Sequence, residues 1–125
     1  MTSRRLTTIL CIDDDLEVLR VREQLLEMHG FLVLTASSGT EGLRLLSDGQ
    51  TVDLVLLDYV LPGMSGNQIA EELKRLYPGV PIVLISGFQE LPETLLEMVD
   101  GYVRKGQDPE VVIRTITQAL AHGHE

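Results

Sequence analysis

The sequence of 125 residues contains a single cysteine, few basic residues and no apolar run long enough to span a membrane. Cys11 alone excludes an internal disulfide, and its place in an apolar run favours a small buried side chain over a reactive thiol. A membrane span needs roughly 18 apolar residues. The apolar stretch 6–12 is shorter and ends in three aspartates, which argues against a secretory signal. We therefore expect a soluble, cytoplasmic chain with no membrane partner.

Positive charge is scarce, since 10 Lys and Arg residues stand against 19 Asp and Glu residues and the net charge is -9. An acidic surface repels the phosphate backbone, so the charge disfavours direct binding to nucleic acid. A metal cation or a basic protein surface is a better match, although most of these carboxylates only keep a domain soluble. Any effect on DNA is therefore expected to pass through a partner.

Five short runs rich in Val, Ile and Leu alternate with stretches of helical spacing, a pattern that predicts a parallel sheet with crossover helices. The length suits one domain, 1–125, with a core over 6–121. It is too short for an eight-stranded barrel, so we predict a doubly wound α/β sheet of flavodoxin-like topology and strand order 2-1-3-4-5. The predicted strands are 6–12, 31–35, 52–57, 81–85 and 102–104.

Apolar side chains at three- and four-residue steps predict which helix faces lie on the sheet. The first helix ends before Gly30, and the others are predicted over 39–46, 67–76, 92 or 93 to 99, and 109–121, the fourth with only about two turns. The predicted inward residues are Val18, Val21, Leu25 and Met28 in the first helix, Ile69, Leu73 and Leu76 in the third, and Val112, Ile113, Ile116 and Leu120 in the last. Arg20, Glu23 and Glu27 are predicted to face water.

Polar residues follow four of the five predicted strands, and in such sheets the ligand site lies beyond the carboxyl ends of the strands. The residues are Asp13, Asp14, Asp58, Ser86 and Lys105. Carboxylates about 4 Å apart repel by roughly 4 kcal/mol at an effective dielectric constant of about 20, so such a cluster must bind a cation or take up a proton. Oxygen ligands without nearby cysteine or histidine favour Mg²⁺ or Mn²⁺ over zinc.

This set of groups suits phosphoryl transfer to a carboxylate. A divalent ion beside Asp58 neutralises an incoming phosphoryl group, and the Asp58 carboxylate is placed to attack phosphorus in line. Ser86 and Lys105 are placed to bond the transferred oxygens. The residue types therefore predict a phosphoaspartate site.

Four segments resemble the receiver domains of response regulators in two-component signalling, including the chemotaxis receivers. They are the turn Ile12-Asp13-Asp14-Asp15, the segment 56–66 in which Asp58, Pro62 and Gly66 fit D-x-x-x-P-x-x-x-G, the run Ile85-Ser86-Gly87, and the run Tyr102-Val103-Arg104-Lys105. The resemblance covers almost the whole chain. It implies a signalling domain that takes a phosphoryl group from a sensor histidine kinase or a histidine phosphotransfer domain, and not an enzyme acting on a separate substrate.

The resemblance also implies a role for each matching residue. Asp58 corresponds to the phosphorylated aspartate, and Asp13 and Asp14 to the acidic pair that binds Mg²⁺ or Mn²⁺. The remaining implied roles are a backbone carbonyl ligand at Val60, a switch hydroxyl at Ser86, an ion-pairing ammonium at Lys105 and a switch aromatic at Tyr102.

Two departures from the family pattern are visible. Gly106 stands where receivers usually carry proline, often with a cis peptide bond, and cis costs about 2.5–4 kcal/mol without proline. We therefore expect a trans or more mobile loop behind Lys105. The segment from Ser86 to Lys105 is also a few residues short and contains Pro92, so dimerisation through the fourth helix and its neighbours is not assumed.

Three other functions remain as alternatives. A receiver fold that docks proteins without regulated phosphorylation fits both departures. A haloacid-dehalogenase-like phosphatase would use Asp13 and Asp15 as a D-x-D turn, although it leaves Asp58 without a role and needs more chain. A flavodoxin-like binder has the same fold, but aspartates in its first loop would repel a flavin phosphate. Asp15 also has a simpler interpretation, as the cap of the first helix.

Overall fold

The computed structural model describes residues 6–87 and 90–123, in which five strands and five helices alternate. The strands form one parallel sheet in the order β2-β1-β3-β4-β5. This confirms the predicted doubly wound topology. The strands are β1 (Thr8–Ile12), β2 (Leu32–Ala36), β3 (Leu54–Asp58), β4 (Ile82–Ser86) and β5 (Gly101–Arg104). The helices are α1 (Leu16–Met28), α2 (Gly39–Ser47), α3 (Gly66–Leu76), α4 (Glu93–Met98) and α5 (Pro109–Gly123).

Strand bounds differ from the predicted ones by up to two residues, and two of the differences concern the site. β3 and β4 each extend one residue further than predicted, so that Asp58 and Ser86 are the last residues of their strands. Asp58 is still in register with Ile85 of β4. The two polar side chains are therefore fixed by sheet hydrogen bonding and not by a loop.

Both faces of the sheet are covered, as a parallel sheet requires. Alternate strand residues point into two cores, so Ile12 and Leu57 lie in one and Cys11 and Leu56 in the other. The first core is closed by α2, α3 and α4, and the second by α1 and α5. β1, β3 and β4 are buried along their whole length, which explains their nearly uninterrupted apolar sequences.

The predicted inner face of α1 was wrong at two of its four positions. Val21 and Met28 are 63% and 82% exposed, whereas Leu19 and Leu26 are buried. The inner face also carries Arg22, whose side chain is only 14% exposed. A charged residue at an inward position interrupts the apolar repeat, and the sequence pattern therefore pointed to a neighbouring face.

The inner faces of α3 and α5 agree better with prediction. Ile69 and Leu73 are buried, but Leu76, the last residue of α3, is 47% exposed, which contradicts its predicted place. The helix ends at Leu76 because Tyr77 leaves the helical conformation, with φ of -135° and ψ of 63°, although its N–H still donates to the carbonyl of Leu73. In α5, Ile116 is buried, and the other three predicted residues are half-buried.

Side-chain caps set where the helices next to the site begin. Asp15 accepts hydrogen bonds from the N–H groups of Glu17 and Val18 at 3.0 and 3.2 Å, which confirms it as the cap of α1. Ser65 and Gln68 form a reciprocal capping box at the start of α3. The six-residue α4 follows Pro92, and no side chain in the described part of the chain caps it, in line with the short fourth helix predicted.

The opposite, amino-terminal edge of the sheet is fastened by two carboxylates. Asp53 accepts a hydrogen bond from the N–H of Thr8 at 2.7 Å, which joins the starts of β3 and β1. Asp100 accepts one from the N–H of Ile82 at 2.8 Å and another from Lys74 of α3 at 3.3 Å. These contacts hold the strand starts in register.

Within 6–87 and 90–123, none of the helices combines the length and the apolar character that crossing a bilayer requires.

Candidate metal and phosphoacceptor site

Three carboxylates meet at the carboxyl edge of the sheet. Asp13 and Asp14 follow β1, Asp58 ends β3, and one ligand oxygen from each lies within 4.8 Å of the others. They meet because β1 and β3 are neighbours with Ile12 in register with Leu57. Asp13 and Asp58 are 1% and 2% exposed, whereas Asp14 is open to solvent. Mg²⁺ and Mn²⁺ prefer oxygen ligands and keep bound water, which the solvent-facing side of this cluster can supply. The three carboxylates therefore fit a divalent cation.

Asp58 is a buried carboxylate whose charge is only partly compensated. Burial raises its pKa, the neighbouring Asp13 raises it further, and the Lys105 ammonium opposes both effects. Lys105 Nζ lies 3.2 Å from Oδ1 and 3.4 Å from Oδ2, and only the longer contact is aligned as a hydrogen bond. Oδ1 is left buried without a hydrogen-bond donor from the described residues. An oxygen in that position is ready to accept a cation or to act as a nucleophile.

Ser86 and Lys105 reach the site from the two strands beyond Asp58. Ser86 is the last residue of β4 and is 1% exposed. The N–H of Lys105 donates to the carbonyl of Ser86 at 2.9 Å, so backbone pairing continues past the end of β5. The Lys105 side chain is 44% exposed and spans the gap to Asp58 from the solvent side. The structure thus brings both residues to the same edge as the carboxylates.

Val60 and Tyr102 lie at the margin of this cluster. The side chain of Val60 is apolar and 54% exposed, so only the backbone of this residue can contribute to the site. The preceding residue, Tyr59, is held on both sides, because its N–H donates to Ile85 and its carbonyl accepts from Gly66. Tyr102 is half-buried in β5 and packs against the first core.

Two glycines shape the loops of the site. A Cβ on Gly66 would lie 2.8 Å from the carbonyl oxygen and 2.9 Å from the Cα of Tyr59, so only glycine lets α3 start this close to the residue after Asp58. Gly106 has φ of +90°, which glycine tolerates and proline does not. The described residues contain no cis peptide bond, so the loop behind Lys105 is trans, one of the two possibilities foreseen. Gln107 closes it by accepting a hydrogen bond from the N–H of Arg104 at 3.0 Å.

Arg22 is a residue of the site that was not predicted from the sequence. Its Nη1 lies 2.8 Å from Oδ2 of Asp13, in an ion pair between side chains that are 14% and 1% exposed. The available signal was its position on the helix after Asp13, three residues from Leu19 and four from Leu26, with which it shares a face. A charged residue at that spacing needs a buried partner, and Asp13 is one.

Cys11 takes no part in the chemistry. It is fully buried in β1, and burial raises the pKa of its thiol to about 12. The thiolate needed for reaction or metal binding is therefore absent near neutral pH. This agrees with the small buried side chain predicted from its apolar surroundings.

Known proteins similar to this chain are response regulators and their receiver domains. The family model described as "Response regulator receiver domain" matches residues 9–117. The transcriptional regulatory protein GlrR of Escherichia coli is 31% identical over 115 residues, which are 90% of this chain and 26% of that protein. The transcriptional regulatory protein CpxR of Klebsiella pneumoniae is 36% identical over 118 residues, 93% of this chain and 50% of that protein. The chain thus spans about a quarter to a half of these relatives.

Solved structures share the fold over nearly their whole length. A CheY-like receiver domain protein from Methanospirillum hungatei superposes with a TM-score of 0.88 at 29% identity, covering 96% of this chain and 98% of that one. A receiver domain protein from Clostridium thermocellum gives 0.87 at 33% identity, with 95% and 98% covered. Receiver domains are signalling domains, and the acidic pocket of Asp13, Asp14 and Asp58 is consistent with phosphorylation and magnesium binding. The chain belongs to the response regulator receiver family.

Proposed function

We propose that the chain is one receiver domain that accepts a phosphoryl group on Asp58 from a sensor histidine kinase or a histidine phosphotransfer domain. One observation carries the proposal. Among the residues that the structure describes, none donates a hydrogen bond to a buried oxygen of Asp58, which lies beside two further carboxylates and 3.2 Å from the Lys105 ammonium. A buried nucleophile with cationic support next to a metal-binding cluster is the arrangement that phosphoryl transfer requires.

In this reaction, a carboxylate oxygen of Asp58 attacks phosphorus while the phosphorus–nitrogen bond of the donor histidine breaks and its electron pair returns to nitrogen. The product is an acyl phosphate on Asp58. Asp13, Asp14, Asp58 and the Val60 carbonyl would hold a divalent ion, for which we propose Mg²⁺ with Mn²⁺ as a substitute, and that ion would supply positive charge to the phosphoryl oxygens.

The other residues of the site act on the transferred oxygens. We assign the Lys105 ammonium to one phosphoryl oxygen, for which it leaves its present contact with Asp58. The Ser86 hydroxyl takes another, and the half-buried Tyr102 on the adjacent strand follows the movement of Ser86 toward the core. The switch then changes the surface around β5 that a partner reads.

Two relatives support parts of this proposal. The response regulator TrrA of Thermotoga maritima was crystallised in complex with Mg²⁺-BeF and superposes with a TM-score of 0.85 at 25% identity, covering 91% of this chain and 99% of that one. Its metal supports Mg²⁺ as the ion here. GlrR and CpxR are transcriptional regulators, and this chain matches only a part of each. We therefore propose a cytoplasmic signalling domain without a separate substrate, whose effect on transcription passes through another domain or protein.

Of the alternatives, the phosphatase is disfavoured by Asp15, whose carboxylate caps α1 and therefore does not serve as the second aspartate of a D-x-D turn. Docking without phosphorylation is decided by experiment. The protein is incubated with a small phosphodonor and MgCl₂, and intact mass is measured. The native chain is expected to gain one phosphoryl group, Asp58→Asn none, and Asp48→Asn, the same change at an exposed aspartate, as much as the native chain. No gain by the native chain would favour docking.

A further inference from the structure

Arg22 is paired with a carboxylate oxygen of Asp13, a member of the acidic cluster. Its Nη1 lies 2.8 Å from Oδ2, while Oδ1 of Asp13 accepts the N–H of Asp15 at 3.0 Å. Both oxygens of Asp13, one of the proposed metal ligands, are therefore engaged by groups of the chain itself. The pair is almost closed to water, since the two side chains are 14% and 1% exposed. In such surroundings an ion pair is weakly screened by salt, and loss of one partner leaves an uncompensated charge.

We propose that Arg22 is an internal counter-cation of the acidic site, which holds Asp13 when no metal is bound and competes with the divalent ion for it. The inference rests on the metal binding proposed above. With Lys105 and Arg22 beside them, the three carboxylates retain a net charge of -1, and without Arg22 they would retain -2. A dication is drawn more strongly to the second arrangement. Arg22 therefore lowers the affinity of the site for metal while it stabilises the metal-free fold.

The structure also contains a place for the guanidinium once it is released. A groove of about 330 Å³ opens on α1 next to Arg22, and its other lining residues are Asp15, Glu17, Val18 and Val21. Two of these are exposed carboxylates at the start of the helix. The guanidinium can turn into this groove without leaving negative charge, and its aliphatic stem can lie along the valines. Competition at Asp13 thus needs a side-chain rotation and no shift of α1.

Arg20 provides a matched control. It lies two residues earlier on the same helix and is exposed, so its replacement changes the net charge by the same amount without touching Asp13. Solvent and salt screen an exposed charge, so Arg20 is expected to have only a weak influence on metal binding. A difference between the two variants therefore reports the contact with Asp13.

The test measures Mg²⁺ affinity directly, by following backbone amide NMR shifts during titration with MgCl₂ at constant ionic strength. Unit charges about 4 Å apart alter a binding constant by about fivefold even at the dielectric constant of water. Arg22→Gln is expected to bind Mg²⁺ at least about fivefold more tightly than the native chain, and Arg20→Gln to stay within about twofold. Arg22→Lys, which keeps the charge, is expected to stay close to the native affinity.

A second measurement separates competition from a purely structural role. In chelator, Arg22→Gln is expected to melt below the native chain, because buried Asp13 loses its partner, and saturating MgCl₂ is expected to raise its melting temperature more than that of the native chain. Arg22→Leu, which suits the apolar face between Leu19 and Leu26, provides a second folded variant with the same expected gain in affinity.

Three results decide the matter. Tighter Mg²⁺ binding by Arg22→Gln or Arg22→Leu, but not by Arg20→Gln, supports competition. Equal or weaker binding by both, with the native chain still binding Mg²⁺, overturns it and leaves the proposed function of the site intact. If neither the native chain nor any variant binds Mg²⁺, the proposed metal site and the role of Arg22 fall together.

Discussion

Replacing Gly66 by alanine tests whether the start of α3 fixes the backbone beside the phosphoacceptor. The added Cβ would meet the carbonyl oxygen of Tyr59 at 2.8 Å and its Cα at 2.9 Å, and both are backbone atoms that cannot rotate away. The N–H of Gly66 also donates to that carbonyl at 3.0 Å. The chain can accept the methyl group only by moving Tyr59, the residue after Asp58, or by moving the first turn of α3.

The expected loss in the free energy of unfolding follows from these contacts. Overpacking of a close contact costs about 1–3 kcal/mol, and weakening of one backbone hydrogen bond costs about 0.5–1.5 kcal/mol. Alanine recovers roughly 0.5–1 kcal/mol through its better helix propensity. We therefore expect Gly66→Ala to lower the free energy of unfolding by about 1–3 kcal/mol, with slower phosphoryl uptake because Asp58 is displaced with Tyr59.

Gly79→Ala is the matched control, since a Cβ at Gly79 meets no atom within 4 Å and its φ is not positive. That variant should stay within about 0.5 kcal/mol of the native chain. Urea unfolding gives both free energies, and mass spectrometry after exposure to a phosphodonor gives uptake. If the two alanine variants unfold alike, the close approach of α3 to Tyr59 does not constrain the site and the reasoning fails.

Three further predictions concern charge, backbone and core. In chelator, Asp58→Asn should be more stable than the native chain near neutral pH, because burial and Asp13 raise the pKa of Asp58 and so disfavour its carboxylate in the fold. The gap should shrink as pH falls through that raised pKa toward the ordinary value of 3.8, and a gap independent of pH in denaturant titrations would contradict this. Gly106→Pro should lose about 1 kcal/mol or more and slow uptake, since proline cannot reach φ of +90°, while Gly106→Asn, which tolerates that region better, should lose less. Leu26→Ala should lower the free energy of unfolding by about 2–5 kcal/mol and Met28→Ala by less than about 0.5 kcal/mol, as measured by urea unfolding. Equal losses in the two variants would mean that Met28 faces the core, as the sequence predicted.

The sheet was predictable because its strands are continuous apolar runs, and the site because it follows from where those runs end. Once β1 and β3 are neighbours, Asp13 and Asp58 must lie side by side, whatever the details of packing. The placement of Ser86 and Lys105 follows from the same rule for β4 and β5. This placement follows from the strand order and the positions of the strand ends.

The face of α1 was not predictable in the same way. Val18, Val21, Leu25 and Met28 form a regular apolar repeat, and so do Leu19 and Leu26 once Arg22 is accepted as an inward residue. Apolar periodicity does not choose between them, because the inward face contains a charged residue whose partner lies outside the helix. The contact between Arg22 and Asp13 lets a charged residue occupy the inward face of α1, and it adds a positive charge to the site.

Gly106 shows a different limit. The sequence revealed an unusual residue after Lys105 but not the conformation it adopts, since glycine suits a flexible loop and a left-handed turn equally. The positive φ and the hydrogen bond from Arg104 to Gln107 show a defined turn. Such a turn arises from the balance of loop contacts, which no local pattern reports.

The carboxylates at the amino-terminal edge have a mechanical consequence. Asp53 and Asp100 accept hydrogen bonds from the first N–H groups of β1 and β4, so these strands are anchored at the end farthest from Asp58. A rearrangement that starts at Asp58 is therefore expected to displace the loops at the carboxyl edge, which a partner protein can touch, more than the anchored strand starts.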